Sequence, residues 1–171
     1  GVKLETHNSN WVRVRADTRQ LEIQTNQVVT EDKVPPGNGS SFQYHWRPPS
    51  TVFGPNCEVY ATLARKGVDG ADFFILGLRY TEDVPTTLDG YLTQESFAAA
   101  GDTIDIRRVD NDVNTTLGAT ESYESAVSDI FLFQAIGPTL TLYVNGVQRV
   151  QRSDSTYAAA GALELFLGGG D

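Results

Sequence analysis

The sequence predicts an all-β protein: two antiparallel sheets packed face to face as a sandwich or jelly roll. Three observations carry this. Apolar and polar residues alternate with a period of two, as Leu140, Leu142 and Val144 do against Thr139, Thr141 and Tyr143. That is the pattern of a strand with one buried face. Turn signals punctuate the chain every 8–12 residues or so, at about the spacing of sandwiches and barrels. No window carries convincing helical periodicity, and residues 94–100 have the composition for one turn at most. Strands at this density bury their apolar faces by sheet-on-sheet packing.

Taken in order, residues 12–15 (VRVR) alternate as a strand, and Asp17-Thr18-Arg19 turns the chain into a second at 21–24, which Val28-Val29 extends. Residues 33–41 (KVPPGNGSS) are the strongest loop signal, because Pro35-Pro36 and Gly37 exclude helix and central strand. Residues 42–46 follow with Phe42, Tyr44 and Trp46 on one face. Strands at 56–64 and 72–80 flank a turn at 66–70; the apolar FFILGL suits a central strand, and Gly77 within it suggests a bulge or a close backbone contact. Further strands are predicted at 89–97, 102–109 and 128–134, with a turn at Asp110-Asn111-Asp112 and a returning hairpin arm at 117–121. Gly137-Pro138 leads into 139–144, whose Asn145-Gly146 supplies the two positive-φ positions of a type I′ turn into 147–151. With 162–167 this reads as a three-stranded antiparallel unit on which the rest packs.

The 171 residues, 40% hydrophobic and 20% charged, suit a single domain spanning the whole chain, 1–171. No apolar run reaches the ~20 residues of a membrane helix. The chain holds no methionine, as expected of a processed product, an excised domain or part of something longer. A net charge of −9 opposes nucleic acid as partner and agrees with a secreted, surface or viral protein. The single Cys57 lies in a strand pattern and reads as a buried, inert thiol.

Four stretches, L-x-x-H-x-x-x-W at 4–11, EVYAT at 58–62, IRRVD at 106–110 and TLTLYVNGVQRV with DSTYAAAG at 139–161, resemble concanavalin A-like lectin/glucanase jelly rolls. They are similar above all to the laminin-G-like modules of phage tail and bacterial surface proteins. The resemblance runs over nearly the whole chain, rests on framework residues, and implies an extracellular, cell-surface or virion location. It also implies closing strands before Leu4 and after the glycine-rich end. Only Gly1–Lys3 precede Leu4 and the chain stops at Asp171, so those strands are either lost with the ends or supplied by a neighbouring subunit, which an unpaired sheet edge would template.

Glycoside hydrolysis needs two facing carboxylates. The E-x-D-x-x-E of laminarinase-type relatives is missing, and Glu22, Glu95 and Glu164 each stand alone and read as outward, solvated residues. His7 and His45 lack a nucleophile elbow; His7 reads as structural, His45 as exposed. Asp110, Asp112 and Asn114 set oxygens at positions one, three and five of a calcium-loop spacing, with Glu121 at twelve, but Thr115 occupies the place of the turn glycine. The stretch reads either as an acidic β-turn or as a Ca2+ site. Asn38 and Asn114 head N-x-S/T sequons in predicted loops. Tyr44 and Trp46, with Phe53 and Tyr60, form either a glycan-stacking platform or part of the core.

Two functions follow. One is a non-enzymatic structural subunit that assembles into oligomers or filaments by lending strands. The other is a glycan-binding adhesion module, aided by calcium at Asp110, Asp112 and Asn114. A hydrolase is disfavoured by the missing carboxylate pair.

Overall fold

The computed structural model describes residues 2–3, 6, 8, 11–13, 21–24, 27–30, 40–46, 53–66, 72–83 and 87–169. Its strands are β1 (Val2–Lys3), β2 (Trp11–Arg13), β3 (Leu21–Gln24), β4 (Gln27–Thr30), β5 (Ser40–Trp46), β6 (Cys57–Thr62), β7 (Asp72–Asp83) and β8 (Thr87–Phe97). They continue as β9 (Thr103–Asp110), β10 (Val113–Thr116), β11 (Glu121–Ser122), β12 (Ile130–Ile136), β13 (Thr139–Val144), β14 (Val147–Ser153) and β15 (Ala162–Gly169). The large sheet has the order β10-β9-β8-β7-β15-β5-β2, with β11 also paired to β9. The small sheet has the order β14-β13-β12-β6, and β1-β3-β4 form a separate three-stranded sheet. Every pairing is antiparallel, as in Phe74 to Glu95 and Phe131 to Val144.

The two main sheets close on one core. Phe74, Leu76, Leu78, Tyr91, Ile104 and Ile106 come from the large sheet, and Phe131, Phe133, Leu140, Leu142 and Val144 from the small one. The period-two pattern works in β12 as the sequence predicts, with alternate residues buried; in β13 Leu140, Leu142 and Val144 are buried and Thr141 between them is buried as well. The Phe74 and Phe131 rings meet edge to face between the sheets, 5.9 Å apart. A second apolar cluster of Ile75, Leu88, Leu92 and Val109 lies on the opposite face of the large sheet and is also buried.

The turn chemistry is as expected at two hairpins. Asn145 and Gly146 have φ of 53° and 75°, and Asn111 and Asp112 have 48° and 65°. Asn145 does more than turn. Its Oδ1 accepts the Ile130 N–H at 2.9 Å and its Nδ2 donates to Asp129 Oδ1 at 2.7 Å, pinning the start of β12.

Four expectations are corrected. β15 does not join β13 and β14; it crosses to the large sheet, between β7 and β5. Its Leu163 and Leu165 pack on the core from that side. The arm returning from Asp110–Asp112 is Val113–Thr116, not 117–121, because a two-residue turn lets pairing start at once, with Val113 opposite Asp110. Residues 94–97 are strand rather than helical turn. Glu95 is not solvated: it is fully buried.

The irregularity near Gly77 falls a little further on. Pairing slips between Leu78 and Thr81 against β8, and around Gly77–Tyr80 against β15. Arg79 sits in this bulge with φ 56°, a left-handed conformation costing a non-glycine residue about 1–3 kcal/mol. It is 1% exposed, and its guanidinium donates to Pro55 O, to Tyr157 O at 3.1 Å and to Gly137 O at 2.8 Å. One side chain thus ties three loops to the end of the sandwich. Gly161 lies against it: a Cβ there would stand 2.5 Å from the Arg79 carbonyl carbon.

Candidate functional site

The predicted acidic stretch lies at one end of the sandwich, inside a network of charges. Asp110 ends β9 and accepts Arg108 Nε at 2.6 Å and the Tyr157 hydroxyl at 2.6 Å. Arg108 also donates to Asp154 Oδ2 at 2.8 Å, and the Tyr91 hydroxyl donates to Asp154 Oδ1 at 2.6 Å. The Tyr157 hydroxyl and the Arg108 guanidinium together hold the Asp110 carboxyl below its usual range. At Asp154 burial pushes the other way, but the donors Tyr91, Thr156 and Arg108 outweigh it and hold the carboxyl at about 2. The same network raises the tyrosines: burial, reinforced by Asp154, pushes Tyr91 up to about 12, and burial with Asp110 raises Tyr157. These are groups locked in their charge states, and the effect is to anchor the 154–161 crossover.

The other predicted oxygens diverge. Asp112 Oδ1 accepts the Leu88 N–H at 3.2 Å, while Asn114 is exposed on the edge strand β10. Among the described residues no group of three or more His, Cys, Asp or Glu is arranged to hold a metal ion. Asn114 was expected in a loop as a sequon; it lies in a strand, exposed. Asn38 and His7 lie outside the described residues. Tyr44 and Trp46 are on β5 opposite Leu165 and Leu163, and His45 opposite Glu164; the side chains of these three β5 residues and of Glu164 and Glu22 are likewise outside the described part. Cys57 is half-buried at the core edge, and burial raises its thiol above the ordinary value in spite of Arg79 nearby, so it is a weak nucleophile.

Among the described residues, the outer face of the small sheet also carries recognition chemistry. Because Val59 and Ala61 pack on the core, Tyr60 points away from it and is 70% exposed. In β13, Leu142 and Val144 are buried and Tyr143 takes the opposite face. Tyr60 and Tyr143 both pair with Leu132 of β12, and Tyr143 pairs onward with Gln148. These four residues form one row across the sheet. The neighbouring row is Glu58, Gln134, Thr141 and Gln151. Gln134 Nε2 donates to Glu58 at 3.0 Å and Gln151 Nε2 donates to Thr141 at 3.3 Å. Neither row contains Lys or Arg, and Glu58 is their one charge. The sequence leaves Tyr60 between a stacking platform and the core, and it lies on the surface; Tyr143 is not among the residues it singles out, although an aromatic standing where Thr139 and Thr141 mark the polar face is its signature.

No family model matches the sequence, and no curated protein matches it. Solved structures do match. A carbohydrate-binding module, CBM66, from Bacillus subtilis superposes with TM-score 0.67 at 14% identity, over 94% of this chain and 92% of that one. The exoplasmic/lumenal domain of VIP36, in a form bound to Ca2+ and Man3GlcNAc, gives 0.64 at 11% identity, over 99% and 81%. A native glycosidic hydrolase gives 0.53 at 13% identity, over 99% and 82%. The fold is concanavalin A-like.

Within this concanavalin A-like sandwich the most perturbed carboxyl among the described residues is Glu95, pushed up to about 8 by burial, against the smaller opposing pull of Thr93 and its own backbone, with Asp105 adding a little to the rise. A raised carboxyl is the mark of a general acid when it lines a cleft. Here it lies between the sheets, with Phe74 on one neighbouring strand and Ile104 on the other, and neither oxygen has a hydrogen-bond partner among the described residues. In this sandwich it is a buried acid enclosed between the two sheets.

Proposed function

We propose that the protein is a non-catalytic carbohydrate-binding module. The observation that carries this is the outer face of the small sheet: the exposed Tyr60 and the half-buried Tyr143, beside the amides of Gln134 and Gln151 with Thr141 buried beneath them, and one charge, Glu58. Aromatic faces take the apolar faces of sugar rings, and amides and hydroxyls bond their equatorial hydroxyls. The likeness to carbohydrate-binding structures supports the same reading. Glu95 is enclosed, and Asp110 and Asp154 are held by Arg108 and tyrosines, so none of the three is free to serve as half of a hydrolytic pair. The reading of the chain as a strand-lending subunit draws no support from β15, which is paired on both sides.

The test is a broad glycan array probed with the purified chain, with mass measured by light scattering. Binding to at least one glycan, competed by the same free sugar, is expected. An array without a competable signal would overturn the reading, and release of reducing sugar from a bound glycan would overturn its non-catalytic part.

A further inference from the structure

We infer that the ligand of this face is an extended, uncharged, β-1,4-linked hexose chain lying across the strands, stacked on Tyr60 and Tyr143 at alternate sugars; this rests on the carbohydrate-binding reading above. The register carries the inference. Tyr60 on β6 and Tyr143 on β13 face the same β12 residue, Leu132, from either side. They are therefore two strand spacings apart, about 9.6 Å from strand to strand. An extended chain of equatorially linked hexoses presents the same ring face at every second unit, a repeat of about that length. The sugar between them would lie over Leu132, which is half-buried.

The second row runs parallel to the first. Gln134 and Gln151 each use one amide hydrogen on a neighbour, Glu58 and Thr141. That fixes their orientation and leaves each amide with an oxygen and a second N–H able to bond a ligand. Such groups alternate donor and acceptor along the same direction as the tyrosines, as an edge of sugar hydroxyls requires. Charge narrows the class further. A uronate or sulfate chain would meet Glu58 and find no Lys or Arg in either row, on a protein of net charge −9. The same net charge opposes a second copy of the chain as occupant.

The experiment is affinity electrophoresis of the whole chain in glucomannan and hydroxyethyl cellulose (neutral, β-1,4-linked), pullulan (neutral, α-linked) and polygalacturonate (anionic), with calorimetry on a β-1,4 oligosaccharide series. Retardation is expected in the first two gels only. Affinity should rise about tenfold or more from the disaccharide to the trisaccharide, the shortest chain that reaches both rings. In Tyr143→Ala and in Tyr60→Ala that step should vanish. Tyr60 is so exposed that its variant keeps the fold, which a thermal melt confirms. Retardation in pullulan or polygalacturonate but not in the β-1,4 gels would overturn the inference while leaving carbohydrate binding intact. So would β-1,4 binding with an unchanged length step in both variants. A dimer dissolved by Tyr60→Ala would assign the face to self-association and overturn it too. Failure in every gel together with a blank array would sink both readings.

Discussion

At the scale of single residues, the sharpest consequence is at Glu95. An acid whose folded pKa lies above its unfolded value stabilises the fold only while protonated. Stability contributed there is complete below 4.5, the ordinary value, is lost as pH rises toward about 8, and is flat beyond. The slope within that window is about 1.4 kcal/mol per pH unit. Glu95→Gln keeps the shape and removes the titration. Thermal melts from pH 4 to pH 9 are expected to show the variant matching the parent in acid and exceeding it increasingly toward pH 8; parallel profiles would contradict the enclosed carboxyl. Nothing in the sequence announces this residue. Residues 93–97 (TQESF) are polar up to Phe97, so the charge of Glu95 reads as outward, although the strand period of two puts it on the same face as Phe97. The reverse holds at Asn145, where Asn-Gly was legible as a turn but the clamp of its side chain on Ile130 and Asp129 was not, since those partners are distant in sequence.

At the scale of elements, the crossover from β14 to β15 depends on the bulge at Arg79. Gly161→Ala would drive a Cβ into the Arg79 and Tyr80 backbone, at 2.5–2.7 Å, where no side chain can yield. The expected loss is about 3 kcal/mol or more, by analogy with strained and overpacked sites, and a chemical denaturation midpoint would register it. Arg79→Met should cost about as much by leaving the Pro55, Gly137 and Tyr157 carbonyls unpaired. Strand existence was legible almost throughout, because a half-buried strand writes its face into a period of two. Strand partnership was legible where the Asn-Gly turn joins β13 to β14, while at β9 the turn was legible but the returning arm was placed too late. The move of β15 into the other sheet was hidden because the residues that fix it, Arg79 and Tyr91, lie far back in the chain and hold it partly through backbone atoms. The candidate binding face was half legible for the same reason: Tyr60 stands out in the sequence and Tyr143 does not, and their common partner Leu132 appears only in the register.

At the scale of the whole molecule, the two kinds of shifted carboxyl act at opposite ends of the pH scale. Asp154, and in the same direction Asp110, Asp102 and Asp129, lie below the ordinary 3.8. Their contribution is present above that value and lost as pH falls through about 2 for Asp154. With Glu95 acting from the other side, stability should peak at about pH 4. Asp154→Asn is expected to lower stability at neutral pH and to weaken the acid-side decline; an unchanged acid limb would speak against the network at that end of the sandwich. The placement of β15 bears on how the molecule comes into being. It forms the seam between β7 and β5, yet of the described strands it is the last to be synthesised. While residues 162–169 are still inside a ribosome, β7 can pair with β8 and β5 with β2, but the edges of β7 and β5 that β15 joins stay open. The two parts of the large sheet can therefore be joined only after those residues emerge, and the interval before is when these open edges leave the nascent chain most exposed to aggregation.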